Sequence, residues 1–521
     1  MAASTPFVWT ATIALALATW PVRAQVCLVR EGQKIPAPDA TAPEQFGNAL
    51  SGSGDRFVVG HYLDFGNDSG SAYIFRDHAN GTPSDRSENL WVQEAWLAPS
   101  DGATDDRFGY SVSIEKSQVA VGAPFDDDAG RNSGSAYVFR FDDNGTPPDP
   151  SDDLWVEEDK LTALDASEGD IFGVSVSISV DRAIVGALED DDAGPGSGSA
   201  YVFRRDRNDT PHDPGDDFWV QESKLTPWDG SEGDGFGISV AIRGRLAVVG
   251  ARADDDAGSD SGSAYVFRHD DSDTPYDPTD DLWVQEAKLT ASDAAAGDQF
   301  GTSVSISDDR AVVGAHLDDD ALYYSGSAYV FRRDDNATPL DPSDDFWVQE
   351  DKLTASDAGG GDRFGVSVSI SSDRIVVGAT WDDDACSAEP TCDSGSAYVF
   401  RLDDNGTSSD AADDFWVQQA KLVASDMAEG DVFGASVSIC GDQAIVGAHL
   451  DDDYRGEDSG SVYTFSIAGR CTDLLSFANL QSCFSGDGGG VLSGCQTFSL
   501  DGDNDVDLDD YHLLLLALEP L

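Results

Sequence analysis

Six runs of three aspartates recur along this chain: Asp126–Asp128, Asp190–Asp192, Asp254–Asp256, Asp318–Asp320, Asp382–Asp384 and Asp451–Asp453. Carboxylates held at one radius repel each other, and a hard divalent cation such as calcium relieves that repulsion. The candidate ligands are Asp126, Asp128, Asp190, Asp192, Asp254, Asp256, Asp318, Asp320, Asp382, Asp384, Asp451 and Asp453. Adjacent aspartates diverge, however, and no run has the spaced D-x-D-x-D order of a calcium loop. The residues therefore favour a solvated rim screened by salt, with adaptation to a saline habitat as a third reading. A second acidic segment, SLDGDNDVDLDDYHLLLLAL, does alternate its carboxylates, and side chains alternating on a tight turn converge on one cation. His61, His316 and His449 hold equivalent repeat positions, but Pro124, Leu188, Arg252 and Thr380 hold the other four, so no ring of metal ligands forms.

The elements that position these residues are repeats. Phe-Gly opens seven units, at Phe46, Phe108, Phe172, Phe236, Phe300, Phe364 and Phe433. Each unit carries four strand-like runs rich in Val, Ile, Tyr, Phe and Trp, bounded by Gly, Asp and Pro. In the fifth unit they are 303–307, 311–315, 327–332 and 347–353. The first alternates Ser with Val or Ile, and the second is apolar enough to be buried on both faces. Four short strands cannot bury both faces alone; seven such sheets packed around an axis can. The seventh unit lacks its Trp-bearing run. The segment Lys34–Gly47, KIPAPDATAPEQFG, aligns without gaps to Lys288–Gly301. The N-terminal strand is therefore expected to complete the last sheet and lock a closed ring. The fold class predicted is all-β, a seven-bladed propeller over residues 25–470, with a small α-helical module over 471–521. The repeated Trp91, Trp155, Trp219, Trp283, Trp347 and Trp416 read as packing between sheets. Trp228 and Trp381 break the repeat and are the better candidates for a binding patch. The N-x-T sites at Asn80, Asn144, Asn208, Asn336 and Asn405, and N-D-S at Asn67, read as copied turn chemistry.

Composition narrows the partners. The chain has 521 residues, 98 acidic and 31 basic, for a formal charge of −67. That balance excludes nucleic acid, which needs clustered Lys and Arg, and an anionic membrane surface. Residues 1–24 read as a secretory signal, with the apolar run ATIALALA followed by Val22-Arg23-Ala24. Secretion permits disulfides. Cys27 and Cys471 flank the repeat array, Cys386 and Cys392 flank the insertion CSAEPTC, and Cys483 and Cys495 flank a Gly-rich stretch. Cys440 is left odd. Sequence alone does not fix the pairing.

The units resemble FG-GAP repeats, the type that builds the head propeller of integrin alpha chains. The resemblance rests on Phe-Gly, S-G-S-A-Y-V-F and W-x-x-x-x-K-L in unit after unit, over about residues 28–466. It implies a propeller and an adhesive or binding role. The integrin calcium loop lies between the first and second strands; here that connection is a tight turn, as at Ser179–Arg182, so that site does not carry over. The tail resembles the calcium loop of a dockerin. That resemblance assigns Ser499, Asp501, Asp503, Asp505, Asp507 and Asp510 as calcium ligands, with Ser499 in place of the usual Asp and Asn504 in place of the turn Gly. A relic of a second loop survives at Asp473–Phe477, so the module is half-degenerate. A cohesin-like partner is what the resemblance implies.

No G-x-S-x-G, H-E-x-x-H, C-x-x-C or G-x-x-x-x-G-K occurs. The sequence thus reads as a secreted, non-catalytic binding or adhesion protein that presents an acidic face to an extracellular protein or glycan and binds calcium through its tail. The alternatives are an extracellular polysaccharide-active enzyme with its site on a propeller face, marked by a deep pocket lined by residues such as Trp228, Trp381 or Arg252, and a purely structural surface protein.

Overall fold

The computed structural model describes residues 25–27, 29–38, 45–64, 69–78, 90–144, 153–208, 215–271, 281–336, 344–383, 392–405, 414–452, 458–467 and 471–473. The proposed signal (residues 1–24), Asp384, Asp453, Cys386, Cys483, Cys495, Asn67, Asn80 and the calcium loop Ser499–Asp510 lie outside them. Among the described residues there is no α-helix. The predicted helical module over 471–521 lies outside the described residues apart from 471–473.

The chain from Val29 to Ile467 folds as one unit of seven four-stranded antiparallel sheets. In the fifth blade the strands are Phe300–Ser307, Arg310–Ala315, Ser327–Asp334 and Phe346–Leu353, each one to three residues longer than the sequence pattern marks. The seventh blade takes Ser436–Cys440, Gln443–Ala448 and Ser461–Ser466 from the end of the array. Its outer strand is Arg30–Pro36, paired antiparallel so that Arg30 faces Ser466 and Pro36 faces Ser461. The ring closes as the split seventh unit predicts. In such a meander, the first-to-second and third-to-fourth turns emerge on one face of the ring, the hairpin face. The second-to-third loops and the links between blades emerge on the other, the loop face.

The Phe-Gly signature has a joining role. Phe172 N–H donates to the Ser133 carbonyl of the preceding blade at 3.1 Å, and the same bond recurs at all seven joints, including Phe46 to Ser459 at 3.2 Å. The ring of Phe172 is fully buried, edge-on to Tyr201 at 5.5 Å. The alternating serines are staples, not a solvated face. Ile178 N–H donates to Ser113 Oγ of the preceding blade at 3.1 Å, and Ser175 Oγ–H donates to the Gly237 carbonyl of the following blade at 2.8 Å. The second strand is buried along its length, as in Gln118–Ala123. Its glycine permits close approach: a Cβ on Gly122 would lie 2.0 Å from the Gly173 carbonyl oxygen. Between blades 2 and 3, Val138, Leu161, Phe172, Val185 and Phe203 form one apolar cluster. Each fully buried side chain of this size contributes roughly 1.5–3 kcal/mol, so the ring coheres chiefly through contacts between sheets.

A separate terminal unit pairs Gln25–Cys27 antiparallel with Cys471–Asp473. Cys27 stands directly opposite Cys471 in this register.

Candidate functional site

The aspartate triplets lie on the loop face, and what they surround is a lysine. The fourth strand of blade 3, Phe218–Leu225, sets Lys224 opposite Tyr201 of the third strand. The Lys224 ammonium stands 2.8 Å from Asp165, 2.9 Å from Asp190 and 2.5 Å from Asp192. Asp165 comes from the link that enters the blade; Asp190 and Asp192 come from the second-to-third loop. Tyr201 donates its hydroxyl hydrogen to Asp190 at 2.7 Å, and its ring lies 5.1 Å from the lysine nitrogen. The middle aspartate closes the loop instead: Asp191 accepts the Gly196 N–H at 2.9 Å.

The arrangement recurs. Lys160 holds Asp101, Asp126 and Asp128 at 2.6–2.9 Å; Lys288 holds Asp229, Asp254 and Asp256 at 2.5–3.0 Å. Lys352 holds Asp293, Asp318 and Asp320 at 2.8–2.9 Å. Lys421 holds Asp357 and Asp382, and Lys34 of the closing strand holds Asp426 and Asp451. The carboxylates considered as calcium ligands do converge, with oxygens of Asp165, Asp190 and Asp192 all within 4.8 Å of one another. The centre of that convergence is an ammonium group. A divalent ion there must first displace it.

In the first blade both halves change together. Trp96 replaces the lysine opposite Tyr73, and Asp64 stands without a triplet. Asp64 accepts the Ser71 hydroxyl hydrogen and lies 3.6 Å from His61 Nδ1. That joint loss was the signal available in the sequence. So was another: six of the seven lysines sit at this one repeat position.

The electrostatics sort the carboxylates into two sets. Burial works against the charged form of Lys224, but hydrogen bonds to Asp165, Asp192 and Asp190 outweigh it and hold its pKa above the ordinary lysine value. Burial alone would raise Asp165; the Lys224 ammonium outweighs it and holds the carboxyl below its usual range. Asp101, Asp254, Asp293, Asp357 and Asp426 shift the same way. The aspartates two residues before five of the Phe-Gly pairs, Asp106, Asp170, Asp234, Asp298 and Asp431, shift upward instead. Burial, with Asp254 nearby, pushes Asp234 up to about 6, and Asp298 and Asp431 also rise to about 6. An acid whose pKa is raised by folding stabilises the fold when protonated and loses that contribution as pH rises through about 6. The lowered set contributes above its ordinary pKa of 3.8 and is lost only below it. Stability from these groups is therefore expected to peak near pH 4 and to fall as pH rises to about 6. Thermal melts at constant ionic strength should give a higher Tm at pH 5 than at pH 7.5; a Tm that rises steadily to pH 7.5 would refute the assignment.

Other sequence candidates resolve into joint chemistry. The repeated Trp indoles bridge blades: Trp219 Nε1–H donates to Glu158 at 2.9 Å and Trp283 to Glu222 at 2.8 Å. Each such glutamate meets an arginine of its own blade's third strand, as Arg140 meets Glu158 and Arg268 meets Glu286, and a second arginine that comes from either the leading or the trailing blade. Arg56 and Arg182 come from leading second strands and pair with Glu94 and Glu222; Arg205 and Arg333 come from trailing third strands and pair with Glu158 and Glu286. Where the leading second strand supplies that second arginine, the trailing third-strand position is uncharged: Phe141 faces Arg56, and His269 faces Arg182. His269 lies near Glu222 and Asp281 in a set that resembles a metal site. Burial and the Arg182 guanidinium lower its pKa and keep it neutral, so it takes the place that Phe141 takes elsewhere. Sequence reading missed this alternation because the two arginines occupy different repeat positions.

His316 and His449 are also held neutral, with pKa values lowered to about 4 by burial. Asn144, Asn208, Asn336 and Asn405 adopt φ of 47–50°. Each donates its backbone N–H to an aspartate two residues earlier at 2.9–3.0 Å. This is the turn chemistry expected. Trp228 is 66 % exposed and Trp381 40 % exposed, both on the loop face, and the Arg363 guanidinium lies over the Trp381 ring. Cys392 is buried.

The sequence model of the FG-GAP repeat matches the chain seven times, at residues 29–75, 91–139, 155–203, 219–267, 283–331, 347–400 and 416–465. No curated protein shows significant similarity to the chain.

Proposed function

Because this chain belongs to the FG-GAP repeat family, we propose that it is a secreted, non-catalytic binding or adhesion protein. Its loop face meets an extracellular protein or glycan, and its tail binds calcium through Ser499, Asp501, Asp503, Asp505, Asp507 and Asp510 for attachment. The observation that carries this reading is the uniformity of the loop face. Six blades gather their converging carboxylates on a lysine of the same blade, so these carboxylates form a rigid rim that stays net acidic, one ammonium against two or three carboxylates. Catalysis draws on asymmetric constellations; recognition can use a regular rim broken by a few exposed side chains. Trp228 and Trp381 are two such side chains, as are the exposed Leu164 and Tyr323 on the same face. Disulfides Cys27–Cys471, Cys386–Cys392 and Cys483–Cys495 belong to the same extracellular reading.

Calorimetry with calcium at fixed ionic strength tests the division of labour. Residues 25–521 should bind one ion, and a chain ending at Arg470 none. About six sites surviving the truncation would mean that calcium displaces the lysines and that the rim is a metal-dependent surface. On an array of immobilised matrix proteins and glycans, Trp228→Ala with Trp381→Ala should weaken retention at least tenfold. Retention equal to the parent protein would remove the loop face as the contact surface.

A further inference from the structure

The fourth blade breaks the repeat on the hairpin face. Five of the seven blades place an aspartate just before the second strand: Asp55, Asp181, Asp309, Asp373 and Asp442. Blade 4 places Arg245 there, with Arg243 two residues before it and Gly244 between, at φ +60°. Arg243 reaches across the hairpin of blade 3 to Glu115 of blade 2 at 3.2 Å. Together these residues border a pocket of about 710 Å³ lined also by Lys116, Val180 and Arg333. Neither Trp228, Trp381 nor Arg252 lines it.

Two kinds of cation meet in this pocket. Arg333 is a joint arginine, fixed on Glu286 and Asp345 at 2.8 and 2.9 Å. Lys116, Arg243 and Arg245 are not joint residues, and their side chains are 80 %, 47 % and 58 % exposed. Their ion pairs are surface pairs, of the kind that contributes little to stability. Arg243 pairs with Glu115 and Arg245 with Asp271, yet both stand at positions where most other blades carry serine and aspartate, and their guanidinium groups remain open to solvent. In a chain of net charge −67, a cluster of outward cations points to a ligand.

We propose that this pocket binds a short anionic oligosaccharide through Lys116, Arg243 and Arg245. A guanidinium presents paired N–H donors that match a planar carboxylate or a sulfate. Glu115, Ser179, Asp308 and Asp345 also line the pocket and accept hydrogen bonds, which suits the hydroxyls of a sugar. Val180 and Leu246 are the apolar side chains in the lining, so an acidic peptide would find little to pack against. The volume fits a ligand of a few rings. The acidic surface beyond repels a long polyanion, so the recognised element is short or terminal. This site lies on the face opposite the one assigned above and stands independently of it.

The test is calorimetric titration of the full chain with a tri-uronate, a sulfated trisaccharide, a neutral trisaccharide and a tri-glutamate peptide. One or both anionic sugars should bind, more weakly at higher salt, and which one binds identifies the carboxylate or sulfate source. Arg243→Gln with Arg245→Gln should weaken that binding at least tenfold with Tm unchanged. Trp228→Ala with Trp381→Ala should leave it intact, which separates this site from the loop face. Failure of both anionic sugars to bind, binding that survives the arginine changes, or equal binding of the peptide or neutral sugar would each overturn the proposal.

Discussion

Replacing Lys224 by methionine should destabilise the propeller by about 3 kcal/mol in urea unfolding. Methionine keeps much of the apolar stem, so the change removes the ammonium more than the packing. It leaves Asp190, 3 % exposed, facing Asp165 and Asp192 without a cation. Breaking a buried pair by removing one partner typically costs about 3–5 kcal/mol. The lower end applies here, because Asp165 and Asp192 are 46 % and 61 % exposed and solvent screens them. In chains ending at Arg470, which lack the proposed tail loop, millimolar calcium should restore part of the loss in the variant and leave the parent unchanged, since the place vacated by the ammonium is ringed by hard oxygens. A loss below about 1 kcal/mol would mean that the clusters are ordinary surface pairs. A parent protein stabilised as much as the variant would mean that calcium binds elsewhere on the rim.

The same cluster shows what could be read from the chain and what could not. Phe-Gly, S-G-S-A-Y-V-F and the missing Trp strand are local patterns, repeated often enough to give both blade number and closure. The triplets were visible too, but their partner was not. Lys224 is distant in sequence from Asp165, Asp190 and Asp192, and nothing local links them. Comparing repeats would have found it, through the paired loss of lysine and triplet in the first unit. The glutamate–arginine alternation is harder. Arg182 and Arg205 serve the same purpose from different strands of one blade, Arg182 on Glu222 of its own blade and Arg205 on Glu158 of the preceding one. A repeat alignment shows two variable columns; the ring shows one conserved charge balance. Blade 4 was legible only as irregular composition, because the pocket beside Arg243 draws on hairpins of several blades.

Removing residues up to Pro36 should abolish cooperative folding of the ring, or lower its Tm by more than about 10 °C. The strand Arg30–Pro36 supplies the outer edge of blade 7, and without it the buried strand Ser461–Ser466 becomes an open edge. The same cut removes Ile35, buried against Phe57 and Val462, and Lys34, the cation for Asp426 and Asp451. It therefore takes away a hydrogen-bonded edge, an apolar contact and a charge balance at once. A synthetic peptide of residues 29–38 added in excess should restore part of the transition, because the missing strand brings its own register. A truncated chain that unfolds like the parent would show that the six intact blades suffice. The opposed Cys27 and Cys471 provide a graded version of the experiment. A disulfide there encloses the whole array, and chain-entropy reasoning assigns such a cross-link on the order of 5 kcal/mol. Cys27→Ser should then lower the urea midpoint of the oxidised protein and leave the reduced protein unchanged. Equal midpoints under both conditions would leave closure to the strand alone.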